Sequence, residues 1–213
     1  MAAIGLIYCG AVLFVNGAML VGRVDPRSAA ILNLFVGTLQ VVTPTVLILQ
    51  AGADTASLLA ASGIYLFGFT FLYVGVVNLT GLPADGVGWY SGFVAAAAVV
   101  YAGVNFTSGN DPVFGVIWLA WAALWLEFFL LMALGHAWLG RPTGWSLLLL
   151  GQVTTTVPAF FLLTGHYHPT PALAVLAAVG YAVLFAIAFT VGRRGADPQA
   201  GKLPRPESET LAA

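Results

Sequence analysis

The stretch IWLAWAALWLE, Ile117–Glu127, decides how this chain is read. Its tryptophans fall at 118, 121 and 125, spacings of three and four. At 3.6 residues per turn they share one helical stripe about 60° wide. With Gly115 and Val116 before it and FFLLMALG after it, such a helix lies only in a membrane or a large core. Tryptophans in a span usually mark the water interface, because the indole N–H seeks a polar partner. Here they run toward the middle. That placement points to a helix whose indole face meets a solute path or a polar neighbour. Aromatic packing between helices accounts for the same stripe equally well. The stretch ends in Glu127, the only acid or base inside any apolar run.

Composition settles the setting. Of 213 residues 60% are hydrophobic and 7% charged, and the mean hydropathy is +0.96. In soluble domains about a quarter of residues are charged, so this is an all-α polytopic membrane protein. Cys9 is the sole cysteine, which leaves no intrachain disulfide and no cysteine metal cluster. No basic patch interleaved with aromatics suggests nucleic acid. No Lys or Arg precedes the first apolar run, so that run reads as a span and not as a cleavable signal. The spans hold no His, Cys, Ser and acid constellation, so no enzyme, cofactor or metal is expected. Retinal chemistry is excluded, because the only lysine is Lys202 in the tail.

A span needs about 20 mostly apolar residues, and seven are read: Ala2–Val21, Ala29–Gln50, Leu58–Leu79, Val87–Phe106, Val113–Leu134, Trp145–Leu163 and Pro171–Val191. The connections are VDPRS, AGADTAS, TGLPADG, SGNDP, GRPTG and HYHPT. The polar, proline-bearing stretch 193–213 is expected to be a disordered tail. Orientation follows the positive charges. Arg23, Arg27, Arg141, Arg193, Arg194, Lys202 and Arg205 all fall on one face when sides alternate across seven spans. The opposite connections hold Asp54, Asp111, His166 and His168. The N-terminus is therefore expected outside and the tail in the cytoplasm.

Polar residues inside the spans are few: Asn16, Asn33, Gln40, Asn78, Gln152 and the run Thr154, Thr155, Thr156 before Pro158. Such groups face the bundle interior or a wet cavity. Interhelical hydrogen bonds, worth about 0.6 kcal/mol on average, explain them as well as a solute path does. Amides and hydroxyls without charges suit a polar, uncharged solute. An ion path calls for charged rings or carbonyl cages.

Several blocks, in order, resemble the AmiS/UreI family of urea channels and amide transporters. They are YCGAVLFVNG (Tyr8–Gly17), VDPRS, NLFVG (Asn33–Gly37), LFGFTFLYVGVVN (Leu66–Asn78), WYSGFVA (Trp89–Ala95), IWLAWAALWL (Ile117–Leu126) and VPAFFLL (Val157–Leu163). The resemblance implies a bundle of helix hairpins around a central pore, with a six-span core over 1–165. The span in 166–192 is then an addition. It also implies a homo-hexameric ring in the bacterial inner (plasma) membrane. Each protomer would conduct urea or short aliphatic amides passively through a pore of aromatic and aliphatic side chains. Carried over by motif, the constriction involves Trp121 and Trp125 with Phe67 and Phe71, joined by Leu13 and Asn16, and by Trp118. A flat amide would slide between indole and phenyl faces while its polar groups meet Asn or indole N–H partners.

The chain departs from the family pattern in three places. It has a seventh span; Leu150 stands where members commonly carry a glutamate before Gly151; and Phe71 stands where the urea channel has a tyrosine. Its outer loops are short, with His166 and His168 their only histidines, so gating by acid is not expected. Glu127 lies about 150° around its helix from the tryptophan stripe. A role between helices is favoured for it over a pore or proton-linked one. The alternative function is a seven-span alternating-access carrier for a small metabolite.

Overall fold

Charged loop residues start the helices. Asp25 accepts from the backbone N–H of Arg27 and Ser28, Asp54 from those of Ala56 and Ser57, and Asp111 from that of Phe114. Each carboxylate thus meets orphan donors of a helix start, and Pro26 and Pro112 occupy first-turn positions that need no donor. The Ser57 hydroxyl and the two backbone donors hold the Asp54 carboxyl below its ordinary range.

The computed structural model describes residues 2–194. It contains seven helices long and apolar enough to cross a membrane. They are Ala2–Leu20, Pro26–Ala51, Thr55–Thr80, Asp85–Thr107, Pro112–Ala133, Ala137–Leu163 and Pro171–Arg194, named below the first to seventh spans. The fold class is the expected one. The second span packs on the third and the fourth on the fifth, while the first closes against the sixth. The seventh lies outside this bundle against the fifth and sixth, with hardly any of its length buried.

Two boundaries differ from the sequence reading. GRPTG is no connection: helix runs unbroken from Gly140 to Gly151. Pro142 stands in its first turn, where a missing N–H costs nothing. The seventh helix includes Arg193 and Arg194, whose charges face the carbonyl end of the helix. The rest of the expected tail, 195–213, lies outside the described residues.

Two prolines disturb helices from within. Pro44 in the second span cannot donate to the Gln40 carbonyl four residues back. That carbonyl faces Gly68 of the third span so closely that a Cβ there would stand 2.9 Å from its oxygen. In the sixth span the helix widens into a π turn over Gln152–Thr156 just before Pro158. The Thr154 and Thr155 hydroxyls donate back to the carbonyls of Leu150 and Gly151 in this region. The first span meets the sixth at Gly17 and Gly144, each of whose absent Cβ leaves room for the other's carbonyl.

The contact at Gly68 predicts a contrast between two glycines. Gly68→Ala should lower the thermal midpoint of purified protein, since overpacking costs about 1–3 kcal/mol. Gly103, in a helix with nothing near its missing Cβ, should accept alanine with no loss. Equal midpoints for Gly68→Ala and the parent would show that the second and third spans are not held by this approach.

Candidate functional site

The tryptophan stripe is buried. Trp121 and Trp125 are 3% and 1% exposed, and Trp118 is only slightly more open. Phe67 of the third span stands against all three. Its ring is edge-on to Trp121 and to Trp125, each with centroids 4.8 Å away, and tilted on Trp118 at 5.6 Å. Trp118 also stacks on Tyr101 of the fourth span at 4.6 Å. Gly63 makes this possible, because a Cβ there would meet the Trp118 ring at 3.0 Å.

This aromatic cluster stands between two cavities. The larger, about 580 Å³, lies toward the end holding the starts of the first, third and fifth spans. Phe67, Trp118 and Trp121 line its inner part, with Cys9, Gln40 and Tyr101. The smaller, about 40 Å³, lies toward the opposite end and is bordered by Leu13, Asn16, Thr70, Phe71 and Trp125. All seven of the aromatic, leucine and asparagine residues singled out in the sequence therefore border one cavity or the other. They divide between the two: Phe67 and Phe71, one helical turn apart, face different cavities.

The hydrogen bonds correct one expectation. Trp121 Nε1 donates to the Thr154 hydroxyl and Trp125 Nε1 to the Thr70 hydroxyl, each at 3.1 Å. Both hydroxyls in turn donate to carbonyls of their own helices, those of Leu150 and Leu66, at 2.7 Å. Asn16 and Asn33 pair reciprocally, amide to amide, at 3.0 and 2.6 Å. These N–H groups are committed inside the protein instead of awaiting a solute, because buried donors take the nearest acceptor. Gln152 and Gln40 likewise donate to the first span, at the Gly10 and Gly5 carbonyls.

Glu127 borders neither cavity. Its Oε1 accepts from the Ser146 hydroxyl of the sixth span at 3.1 Å, and its buried Oε2 has no partner. Leu150 is fully buried. At the end of the bundle that holds the larger cavity the Tyr167 hydroxyl donates to both oxygens of Asp111, at 2.9 and 3.1 Å. Burial and then the Asp111 carboxylate raise the Tyr167 hydroxyl well above its ordinary range.

Thr70, Tyr101 and Cys9 were not singled out in the sequence as site residues. Thr70 lies three residues after Phe67, on the same helical face, and that spacing was its available signal. For Tyr101 and Cys9 no local pattern points to the cavity.

The AmiS/UreI family transporter model matches residues 1–166. The chain belongs to the AmiS/UreI family. Within that family it is 57% identical to a Rhodococcus erythropolis protein named as the transporter AmiS2, over 97% of this chain and 98% of that one. It is 51% identical to a Mycolicibacterium smegmatis protein named for transport of amidate substrates, over 100% and 99% of the two chains. The acid-activated urea channel of Helicobacter pylori is 34% identical, using 78% of this chain and 100% of its own. A cryo-EM structure of that channel in a closed state superposes with a TM-score of 0.72 at 33% identity, covering 79% of this chain and all of the other. The family match ends before the seventh span, whereas the alignment with the Rhodococcus relative runs through it. As a member of a transporter family this chain is no enzyme.

Proposed function

We propose that this AmiS/UreI transporter conducts urea or short-chain aliphatic amides passively, along a path from the larger cavity, past Phe67, Trp121 and Trp125, to the smaller one. The observation that carries this reading is the barrier itself. Two cavities at opposite ends are parted by aromatic rings, with the Trp121 and Trp125 N–H groups already bonded and, among the described residues, no charged side chain bordering the barrier. A planar, uncharged amide loses only part of its hydration between such faces, whereas an ion loses stabilisation that nothing replaces. The names of the relatives, an acid-activated urea channel and a transporter of amidate substrates, point to the same solutes. In this reading residues 1–165 form the conducting core, six copies assemble in a ring, and Leu13, Asn16, Phe71 and Trp118 complete the wall. Glu127 serves the seam between the fifth and sixth spans through Ser146. A carrier would show flux that saturates at millimolar solute with a steep temperature dependence. A channel would show neither.

The protein sits in the bacterial inner membrane with its N-terminus outside. The motivating observation is that Arg23, Arg27, Arg141, Arg193 and Arg194 all follow the ends, or open the starts, of helices at the end away from the larger cavity. An impermeant maleimide on intact cells should fail to reach a cysteine at position 198 in a Cys9→Ser background. Labelling from outside reverses the orientation.

Stopped-flow uptake into proteoliposomes tests the path. Trp125→Ala should relax selection and admit butyramide relative to acetamide. If the ring merely packs helices, the change should cost about 3–5 kcal/mol of stability and lower the yield without altering relative permeabilities. Flux is therefore normalised to folded oligomer. Unchanged ratios in both Trp121→Ala and Trp125→Ala would remove these residues from the path.

Between pH 7 and pH 5 flux should agree within a few-fold. Asp54, held low, keeps its charge throughout, since its contribution is lost only as pH falls through a value below the ordinary 3.8. Tyr167, held high, stays neutral, since its contribution is lost only as pH rises above the ordinary 10.0. A tenfold rise at pH 5 would contradict the expectation and direct attention to His166 and His168.

A further inference from the structure

The seventh span touches the bundle with small residues: Ala174, Ala188 and Gly192 are its buried positions. Among its polar contacts, one reaches the part of the sixth span that holds Trp121 of the aromatic barrier through Thr154. The Tyr181 hydroxyl donates to the Val153 carbonyl at 3.4 Å. That carbonyl needs a donor for a reason written in the sequence. In the π turn the Val157 N–H bonds Gln152 O, five residues back instead of four. The next donor in this register would be residue 158, which would reach Val153, and residue 158 is a proline with no N–H. Val153 is thus left with an unmet acceptor, in a place where a bilayer offers no water to meet it. Its chain neighbour is Thr154, whose hydroxyl holds Trp121.

We propose that Tyr181 is a positioning residue for the permeation barrier. By supplying the donor that Pro158 withholds, it fixes the π turn and with it the angle at which Thr154 presents its oxygen to Trp121. The seventh span then acts on selection without lining the path. The inference rests on the reading of Trp121 as part of that path, and two readouts keep the two apart. The first is the indole N–H signal of Trp121 in the ¹⁵N-indole-labelled protein, assigned by Trp121→Phe; it needs no solute. The second is the propionamide to acetamide permeability ratio in proteoliposomes.

Tyr181→Phe removes only an oxygen atom. It should shift the Trp121 signal, leave that of Trp125 in place, and change the permeability ratio about two- to threefold, the scale of one modest hydrogen bond. Arg193→Ala is the control. It loosens the far end of the same helix, where the guanidinium lies 4.9 Å over Trp138, and both readouts should stay at the parent values. A Trp121 signal unmoved in Tyr181→Phe overturns the proposal. So does an equal movement in Arg193→Ala, which would make the effect one of general seating. A moved signal with an unchanged ratio, in protein that conducts amides, overturns the link to selection. If the parent conducts no amide, the functional reading falls while the indole signal still decides the role of Tyr181.

Discussion

The indole N–H groups of Trp121 and Trp125 stand where a bilayer has no water to offer, and the two threonines that accept from them set the register of the middle of this protein. Each threonine is saturated in a particular way. Its hydroxyl donates to its own helix and still has a lone pair for the indole. Thr70 belongs to the third span and Thr154 to the sixth, so the fifth span is pinned from two sides at successive turns of one stripe. An interhelical bond in a membrane is worth about 0.6 kcal/mol on average. Stranding a buried donor costs about 1–3 kcal/mol. The constraint therefore comes less from what the bonds add than from what any other register would leave unmet.

Backbone groups obey the same rule, and the prolines show how. Pro44 removes a donor from the Gln40 carbonyl, and the third span answers with Gly68, whose missing Cβ leaves room for that carbonyl. Pro158 removes a donor within an already widened turn. There the Tyr181 hydroxyl meets the Val153 carbonyl, while the Thr154 and Thr155 hydroxyls donate to the carbonyls of Leu150 and Gly151. One break is met by bringing a helix closer, the other by side chains reaching in. The widened turn also holds Thr154, whose hydroxyl accepts from Trp121.

How far the sequence spoke for this arrangement follows from the range of each interaction. Hydropathy is a local sum, so seven spans and their order were legible, and the 3- and 4-residue spacing of the tryptophans put them on one face. Phe67 was legible through the family's LFGFTFLY block. Pairings between distant spans leave no local trace. Trp125 and Thr70 are 55 positions apart, and a threonine between phenylalanines reads as one more β-branched apolar residue. Asn16 was read as facing a lumen and does border the smaller cavity, but nothing local reveals that Asn33 pairs with its amide. GRPTG misled for the opposite reason: Gly and Pro are turn-formers by local rule, yet both fit the first turn of a helix that tertiary packing prolongs.

The closed hydrogen-bonding of the barrier bears on which solutes the proposed path favours. Aromatic faces attract cations, by about 2 kcal/mol when desolvated. Stripping a cation of water in a medium of low dielectric costs tens of kcal/mol, so the ring faces do not make this an ion path. An anion meets still less, because the indole donors that would greet it are turned to Thr70 and Thr154. A neutral amide forfeits far less, of order 1–3 kcal/mol for each polar group left unbonded on scales drawn from proteins. It regains part of that by contact with the rings. A wall with free N–H groups would hold such a solute in a well. A barrier whose Trp121 and Trp125 donors are already spent gives it little to stay for, which favours transit over binding.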